Sequence, residues 1–282
     1  MILLTGATGY LGSHLLQHLV KKQEKVIVLK RSTSDLSRIE SIKDQAIFID
    51  IDLTDLSEAF KYPIERVIHT ATVYGRKGES ISDLINTNIA FPIRLAELSE
   101  IHGIKAFYNT STSLDSTVNP YSLSKFQFTE WLSKFQKSFR VINIVPEYFY
   151  GPGDDNSKFI GMLIEKMSNG TNEIALSPCT QQRDFIYIDD VISAYDSILS
   201  NEDLFDAMST FEVGSGSTLS LKELVLKIAT LKNFNINNLK FGAIPLRENE
   251  CIFSKANIQK LQKLNWKPSV SLDSGLKTTI SK

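Results

Sequence analysis

A tyrosine and a lysine four residues apart are the pair in this sequence best suited to acid–base chemistry. Tyr121 and Lys125 bound the segment Tyr-Ser-Leu-Ser-Lys, and their spacing places both side chains on one face of a helix. A free tyrosine has a pKa of about 10 and is a poor acid or base at neutral pH. Because a neighbouring ammonium stabilises the phenolate, the pair predicts a tyrosine with a lowered pKa.

The residues before this pair decide how it is interpreted. Such a spacing is also common on surface helices that have no catalytic role. Here a hydroxyl-rich run, Asn-Thr-Ser-Thr-Ser at 109–113, ends the preceding predicted strand. One of these hydroxyls could bind a carbonyl oxygen beside the tyrosine; a polar turn is the alternative explanation of the run.

A glycine-rich turn near the N-terminus predicts a dinucleotide site. The run from Thr5 to Gly12 follows the first predicted strand and opens the first predicted helix. Gly6 permits the tight turn, Gly9 lets the backbone approach a pyrophosphate, and Gly12 allows close helix–strand contact. The free N–H groups of the helix start would bind the phosphates. The predicted cofactor site here consists of Gly6, Thr8, Gly9, Tyr10, Leu11 and Gly12.

The end of the second predicted strand bears on which cofactor is used. NAD-preferring folds place an acidic residue there to bind the ribose 2′-hydroxyl. This sequence instead has Lys30, Arg31 and Ser32. These side chains could hold a 2′-phosphate, with Arg31 binding it as a fork, although a solvated basic loop would look the same. The loop favours NADP(H).

Composition excludes several other classes of protein. Among 282 residues, 42% are apolar and the net charge is −1, so the basic surplus typical of nucleic-acid binding is missing. Cys179 and Cys251 lie far apart without metal-ligand spacing, which predicts free thiols and no metal. No apolar run is long enough to span a membrane. We therefore expect a cytoplasmic protein that does not bind membranes or nucleic acids.

The first half of the chain alternates short apolar runs with amphipathic stretches, as a helix-covered parallel sheet demands. This predicts an α/β fold with a Rossmann-type doubly wound parallel sheet over residues 1–150, to which the chain returns around 183–212. A smaller C-terminal α/β substrate domain is expected over 151–282. The predicted strands are Ile2–Thr5, Val26–Lys30, Ala46–Ile51, Arg66–Thr70, Ile104–Asn109 and Arg140–Val145. The predicted helices between them are Tyr10–Lys22, Ile81–Ile101 with a kink at Pro92, and Pro120–Lys137.

Taken together, several blocks resemble the extended short-chain dehydrogenase/reductase family, which includes the NAD-dependent epimerases and dehydratases. They are the glycine turn, the hydroxyl run before Tyr-x-x-x-Lys, Tyr-Gly-Pro-Gly at 150–153, Arg-Asp-Phe-Ile-Tyr-Ile-Asp-Asp at 183–190, Val-Gly-Ser-Gly at 213–216 and Leu-Asn-Trp-Lys-Pro at 264–268. They stand in the family's order and span nearly the whole chain. The combination is specific, although no single block is.

Within that family, the chain resembles the branch of CDP-abequose and CDP-paratose synthases. This branch reduces the C4 ketone of a CDP-4-keto-3,6-dideoxyhexose with NADPH. The segments that carry the resemblance lie at 69–75, 147–151, 181–185 and 241–250, and the short gap before Tyr121 matches as well. The resemblance implies that Tyr121 is the acid–base residue and Lys125 its activator and a ribose ligand. The hydroxyl partner is Thr112 or Ser111, of which Thr112 is favoured.

The resemblance also implies binding roles for residues elsewhere in the chain. Arg183 and Arg247 match arginines that bind the nucleotide diphosphate, a role that suits forked guanidinium donors. Asp52 matches the acid that binds adenine, while the side chains of His69, Tyr74 and Tyr148 are open to a plain packing role as well. The further cofactor candidates are Asp52, Leu53, His69, Ala71, Thr72, Tyr121 and Lys125. The substrate candidates are Tyr74, Ser111, Tyr148, Lys158, Arg183 and Arg247.

The family contains reductases, C4 epimerases and 4,6-dehydratases, so the fold does not determine the reaction. The dehydratases follow their catalytic hydroxyl with an Asp-Glu pair, whereas Ser113 and Leu114 follow Thr112 here. An epimerase recycles one tightly held NAD, usually through the acidic ribose ligand that is missing here. The resemblance therefore implies an NADPH-dependent 4-ketoreductase that acts on a sugar nucleotide in O-antigen deoxysugar biosynthesis. The alternatives are an epimerase and a redox-silent NADP(H) sensor, and a homodimer is left open.

Overall fold

The computed structural model describes residues 1–281 and divides the chain into two compact units. The first consists of Met1–Val145 and Ile198–Phe211, and the second of Pro146–Ser197 and the chain from Glu212 onward. The strands are β1 Ile2–Thr5, β2 Val26–Lys30, β3 Ile47–Asp50, β4 Arg66–His69, β5 Ala106–Thr110, β6 Arg140–Pro146, β7 Tyr148–Tyr150, β8 Ile174–Leu176, β9 Gln182–Arg183, β10 Phe185–Tyr187, β11 Met208–Val213, β12 Leu219–Ser220 and β13 Leu239–Phe241. The α-helices are α1 Tyr10–Lys21, α2 Ile81–Ile85, α3 Phe91–Ile101, α4 Pro120–Leu132, α5 Phe159–Ser168, α6 Ile188–Ser200, α7 Leu221–Leu231, α8 Gln259–Gln262 and α9 Leu272–Ser281.

The first unit is built on a seven-stranded sheet in the order β11-β6-β5-β4-β1-β2-β3. Strands β1 to β6 pair in parallel, so their carboxyl ends lie at one edge. This confirms the predicted Rossmann-type doubly wound sheet. The chain reverses direction across the sheet between β1 and β4, and in open α/β sheets ligands bind at that reversal.

Both faces of this sheet are buried, which explains why its strands are continuous apolar runs. On one face, Leu3, Val67 and Phe107 pack in a cluster with Leu95 of α3 and Phe128 of α4. Alternate residues of the same strands point to the opposite face, as the two-residue period requires. Those side chains, Leu4, Val28, Ile68 and Tyr108, are at most 4% exposed.

The predicted helix over 81–101 is interrupted. Helix α2 ends at Ile85, a π-helical turn occupies Asn86–Ala90, and α3 starts at Phe91. Pro92 is the second residue of α3, directly after the π-helical turn, and as a proline it cannot donate a hydrogen bond to that turn. The irregularity was predicted at the proline, but it lies in the turn before it.

A buried polar group fastens the return segment 198–211 to the sheet. Glu202 is 4% exposed, and its carboxylate accepts a hydrogen bond from the Tyr108 hydroxyl. It also accepts one from Arg66 Nε at 2.9 Å. The guanidinium offsets the cost of burying the carboxylate. No pattern in the sequence predicted this contact.

The second unit consists of short paired strands and helices. Strands β7 and β10 are parallel, β9 and β12 antiparallel, and β8 and β13 parallel. Two buried carboxylates hold its loops. Asp184 accepts hydrogen bonds from the Ser215 and Gly216 backbone N–H groups, and Asp190 accepts from those of Ser269 and Val270. The acids of the Arg-Asp-Phe-Ile-Tyr-Ile-Asp-Asp block therefore organise loops.

Among the described residues, no helix is long and apolar enough to cross a membrane.

Candidate active site

The glycine turn joins β1 to α1 with almost no spare space at two of its three glycines. Gly6 has φ +74°, and a Cβ there would lie 2.6 Å from the Ala71 backbone nitrogen. A Cβ on Gly12 would overlap the Gly6 carbonyl, 2.6 Å from its carbon atom. Gly9 is exposed, and the nearest atom to a Cβ there would be the Gly6 carbonyl oxygen at 3.3 Å, a tight contact without overlap. Gly6 and Gly12 therefore have the close contacts predicted for them, while the approach of a pyrophosphate at Gly9 stays a prediction.

The same turn leaves a helix start available to an anion. Gly9 is the N-cap of α1 and no side chain caps the helix, so the first N–H groups have no side-chain acceptor. This cradle fits a dinucleotide pyrophosphate, because a helix N-terminus favours negative charge. The side chains of Tyr10 and Leu11 are buried, at 9% and 8% exposure, so they would contribute backbone groups. Thr8 and Gly9 are accessible at the turn surface.

The side chain of His69 has the packing role that the sequence also allowed, because it is buried away from the surface. The residue is 0% exposed, and its ring is surrounded by Phe91, Phe107 and Phe128. Its Nδ1 lies 2.8 Å from the Thr5 hydroxyl oxygen. Burial, followed by the charge of Lys125, holds the pKa of His69 well below its usual value, so the ring is neutral. It therefore supports the glycine turn from beneath.

Thr5 connects that histidine to the loop after β4. The Ala71 N–H donates to Thr5 Oγ1 at 3.2 Å, and the Thr70 hydroxyl donates to the Thr5 carbonyl at 2.7 Å. Thr5 Oγ1 therefore links the Ala71 N–H to the His69 ring, and its hydrogen bond with Nδ1 fits either tautomer of the neutral imidazole. Ala71 and Thr72 are half-buried beside the turn, where we proposed that they line a cofactor.

The basic loop after β2 is less free than its sequence suggests. Lys30 Nζ lies 2.6 Å from Asp50 Oδ2, and the Ser32 hydroxyl donates to the same oxygen at 2.9 Å. The Ser32 N–H donates to Asp52 Oδ2 at 2.8 Å. Treating Lys30 and Ser32 as free phosphate donors was therefore wrong for this conformation, because Asp50 holds both. Arg31 is exposed, as are Asp52 and Leu53.

Helix α4 positions the tyrosine and the lysine. Asn119 caps the helix with a reciprocal capping box to Ser122, and Pro120 starts its first turn. Tyr121 is half-buried and Lys125 is 1% exposed, one turn further along. The side chain of Thr112 lies close enough to Tyr121 to lower its pKa. The structure thus brings together the three candidate catalytic residues that lie on β5–α4.

The structure separates Ser111 from this group. Its Oγ lies 3.5 Å from Thr129 Oγ1 in α4, and its N–H donates to the Ile144 carbonyl in β6 at 2.7 Å. Of the two hydroxyls that were left open, Thr112 is therefore the one placed to act with Tyr121.

The electrostatics of Tyr121 differ from the prediction. Burial raises the pKa of Tyr121 above its usual value, and the nearby Tyr74 raises it further. The side chain of Thr112 and the charge of Arg76 oppose this only partly. The predicted lowering of the Tyr121 pKa is therefore wrong, because burial outweighs the groups that lower it. Burial also lowers the pKa of Lys125, to about 8.

One residue that the sequence reasoning missed, Asn88, fixes the surroundings of this tyrosine. Asn88 is fully buried in the π-helical turn; its amide donates to the Val73 carbonyl and to the Ser124 hydroxyl, each at 2.9 Å. Its Oδ1 accepts from the Val73 N–H at 2.9 Å. Asn88 thus ties the loop after β4 to α4. The signal that could have revealed it is an asparagine within an otherwise helical, apolar stretch.

Tyr74 lies beside the candidate acid. Its ring centroid is 4.8 Å from that of Tyr121, and the Arg76 guanidinium lies 5.4 Å above the Tyr74 ring. Tyr74 remains 40% exposed. It can therefore cover one side of Tyr121 and still contact a ligand, as the substrate role requires.

In the second unit, the predicted diphosphate arginine is already paired. Arg183 is 3% exposed, and its Nη2 lies 2.9 Å from Glu250 Oε1. It also donates to the carbonyls of Gln182 and Cys251 and lies 5.3 Å from the Tyr148 ring centroid. Arg183 is therefore not an open anion site in this conformation, and its binding of the diphosphate stays a prediction.

The remaining candidates of the second unit are more accessible. Arg247 is exposed in the segment that also carries Glu250, and the Glu250 N–H donates to its carbonyl at 3.2 Å. Lys158 pairs with Asp154 at 2.9 Å and lies 4.4 Å from the Phe149 ring centroid. Arg247 is therefore more accessible to a diphosphate than the buried Arg183.

Comparison with known proteins assigns the class. The sequence matches the NAD dependent epimerase/dehydratase family over residues 2–214. The chain belongs to this family and is an enzyme of its oxidoreductase type, as the motif blocks predicted. CDP-abequose synthase from Salmonella muenchen is 34% identical to it over 293 residues, which cover 99% of this chain and 97% of that protein.

Two further comparisons agree with this assignment. CDP-abequose synthase from Salmonella typhimurium is 28% identical over 297 residues, covering 100% of this chain and 97% of that protein. The fold matches that of UDP-glucuronic acid 4-epimerase from Bacillus cereus, solved with UDP-glucuronic acid and NAD, with a TM-score of 0.88. That match covers 99% of this chain and 98% of the epimerase at 24% identity.

Proposed function

We propose that the chain is an NADPH-dependent 4-ketoreductase of a nucleotide-linked deoxysugar. Its substrate is a 4-keto-6-deoxy or 3,6-dideoxy hexose, with CDP as the nucleotide, and its pathway supplies a surface polysaccharide such as O-antigen. The observation that carries the proposal is the placement of Tyr121 beside Thr112 and one helical turn from buried Lys125. The CDP-abequose synthases, similar over the full chain, support CDP and a deoxysugar.

The protonation of Tyr121 suits the reductive direction. Reduction of a ketone requires a proton donor at the carbonyl oxygen, and a tyrosine with a raised pKa keeps its proton at neutral pH. In this proposal, Tyr121 donates that proton to the C4 oxygen and Thr112 stabilises the developing negative charge with a hydrogen bond. A bound reduced nicotinamide would supply the hydride. Lys125, positively charged below about pH 8, stabilises the phenolate that remains.

The turn and loop of the first unit would hold the cofactor. The uncapped start of α1 would bind the pyrophosphate, and Arg31 would bind the 2′-phosphate. For the sugar nucleotide, Arg247 would contact the diphosphate first. Arg183 would join it after its pair with Glu250 opens.

A C4 epimerase is the second candidate. It is favoured by the ion pair between Lys30 and Asp50, which neutralises part of the charge that argued for NADP(H). An epimerase would keep one NAD and consume no NADPH. Dehydration remains disfavoured, because Ser113 and Leu114 follow Thr112 and cannot act as acid and base.

An NADPH-oxidation assay with CDP-, dTDP-, UDP- and GDP-linked 4-keto-6-deoxy sugars tests the proposal. We expect one NADPH to be consumed for each sugar reduced, with the CDP-linked ketone giving the highest kcat/KM. Interconversion of C4 epimers without NADPH consumption would contradict the reductase and support the epimerase. Cofactor binding without turnover of any sugar would indicate the redox-silent sensor.

Self-association is part of the proposal. Helices α2 and α4 contact each other and expose large apolar side chains. Ile81 and Ile85 lie one turn apart on α2, and Leu123, Phe126 and Trp131 lie on one side of α4, each at least 43% exposed. Soluble monomers rarely expose such a contiguous apolar patch. We propose that this α2–α4 face forms a homodimer interface.

A further inference from the structure

Two adjacent strand ends place opposite charges side by side at the loop that follows β2. Lys30 is the last residue of β2 and Asp50 the last of β3, and the register of the parallel pair puts them opposite each other. Their side chains form an ion pair with 2.6 Å between Nζ and Oδ2. Their exposures are only 20% and 16%, so solvent screens this pair less than an open surface pair.

Asp50 has further donors besides the lysine. The Ser32 hydroxyl donates to its Oδ2 at 2.9 Å, and the Asp52 N–H donates to its Oδ1 at 3.1 Å. The hydrogen bond with Lys30 is the largest cause that lowers the pKa of Asp50, so the carboxylate is ionised at neutral pH. Asp50 therefore occupies two of the three side-chain donors that the segment Lys30-Arg31-Ser32 offers.

Arg31 differs from its two neighbours. It is exposed, and its N–H donates to the Ser34 hydroxyl at 3.1 Å, which fixes the loop backbone. Its guanidinium can therefore bind a phosphate without breaking a contact with Asp50, which Lys30 and Ser32 would have to do.

We propose that Asp50 is a specificity-determining residue of the cofactor site, because it competes with the 2′-phosphate for Lys30 and Ser32. This inference rests on the proposed binding of a dinucleotide at the glycine turn. Arg31 is then the main contact of the 2′-phosphate, and the carboxylate of Asp50 repels that phosphate. The preference for NADPH over NADH is modest in consequence, and the residue that limits it lies on β3, outside the loop that the sequence pattern indicated.

Binding of 2′,5′-ADP and 5′-AMP, measured by calorimetry, isolates the contribution of the 2′-phosphate without any turnover. Asp50→Asn keeps the shape of the side chain and removes its charge, which frees Lys30 for the phosphate. We expect the ratio of 2′,5′-ADP affinity to 5′-AMP affinity to rise about tenfold, because a charge-assisted hydrogen bond becomes available. Glu65→Gln is the matched control: it removes the partner of Lys105 at the opposite edge of the sheet and leaves the ratio unchanged.

A second pair of variants keeps the proposal testable if Asp50→Asn is unstable. Lys30→Met alone leaves the charge of Asp50 unpaired, so it lowers the ratio of 2′,5′-ADP affinity to 5′-AMP affinity. Lys30→Met with Asp50→Asn removes both charges of the ion pair, so the net charge at this position stays zero. The double variant should therefore stay within about threefold of wild type. A double variant that loses as much as Lys30→Met, or an Asp50→Asn ratio that is unchanged or lowered, would overturn the role of Asp50 and leave the proposed reductase intact. A wild-type protein that binds neither nucleotide would overturn both.

Discussion

Burial of the two candidate catalytic side chains moves their pKa values apart. Tyr121 is raised above its usual pKa, and Lys125 is lowered to about 8. Desolvation penalises the charged form of each group, so the tyrosine stays neutral while the lysine approaches neutrality near physiological pH. Arg183 is also buried, but its ion pair with Glu250 offsets the free-energy cost of removing its charge from water.

The pKa of Lys125 leads to a prediction about pH. Lys125 is protonated below about pH 8 and neutral above it. If its charge stabilises the Tyr121 phenolate, the rate of single-turnover reduction falls as pH rises through about 8. Lys125→Met should be slower throughout and lack this fall, whereas Lys134→Met, an exposed lysine after the same helix, should behave as wild type. A fall near pH 8 that persists in Lys125→Met would assign it to another group.

At the scale of elements, the backbone conformations of the glycine turn and of α4 place the candidate functional groups. The turn needs its glycines because any Cβ on Gly6 or Gly12 meets backbone atoms. Helix α4 needs its cap at Asn119 because the first turn carries Tyr121. The turn follows β1 directly, and α4 follows β5 after the segment 111–119, so both lie at the carboxyl edge of the sheet, where α/β folds bind their ligands.

Two glycine variants separate folding from cofactor binding. In Gly12→Ala the new Cβ overlaps the Gly6 carbonyl, so we expect at least about 2 kcal/mol of lost stability and no dinucleotide binding. In Gly9→Ala the nearest atom is 3.3 Å away, so the fold should survive while pyrophosphate binding weakens. Thermal unfolding and cofactor titration measure the two effects. A Gly12→Ala protein that unfolds and binds as wild type does would refute the close contact.

Sequence reasoning predicted these elements well because each depends on local pattern. The glycine turn, β1, β2 and the start of α4 were predicted at the residues where the structure has them. It did not predict Glu202 beneath Tyr108, Asn88 against Ser124, or Asp50 beside Lys30. These contacts join residues that are distant in sequence, and no periodicity records which polar side chains will meet. For the same reason, the sequence did not reveal that Lys30 is paired with Asp50 and Arg183 with Glu250.

At the scale of the whole molecule, the exposed α2–α4 face is the feature that folding of a single chain leaves unexplained. Phe126 and Trp131 are 52% and 55% exposed on the helix that carries Tyr121. Burial of apolar area of this kind stabilises homodimers, whose interfaces resemble a protein core. An interface there would also restrain the catalytic helix.

Light scattering after size exclusion tests this interface. We expect the wild-type protein at twice its monomer mass and Phe126→Asp at the monomer mass, because the substitution places a charge in an apolar contact. Leu204→Asp alters a leucine in the return segment that is more exposed, at 73%, and should leave the dimer intact. A monomeric wild type, or a dimer that Phe126→Asp does not weaken, would show that the face has another role.

Single-turnover reduction of a CDP-linked 4-keto sugar by Tyr121→Phe tests the central claim most directly. The substitution keeps the ring beside Tyr74 and removes the proton that the C4 oxygen must receive. Loss of general acid catalysis typically slows a reaction about 10²–10⁴-fold, while NADPH affinity and thermal stability should stay close to wild type. Tyr62→Phe, a half-exposed tyrosine after the strand β3, serves as the control and should retain full rate. We predict a loss of at least about a hundredfold; a Tyr121→Phe enzyme within about threefold of wild type would contradict the mechanism.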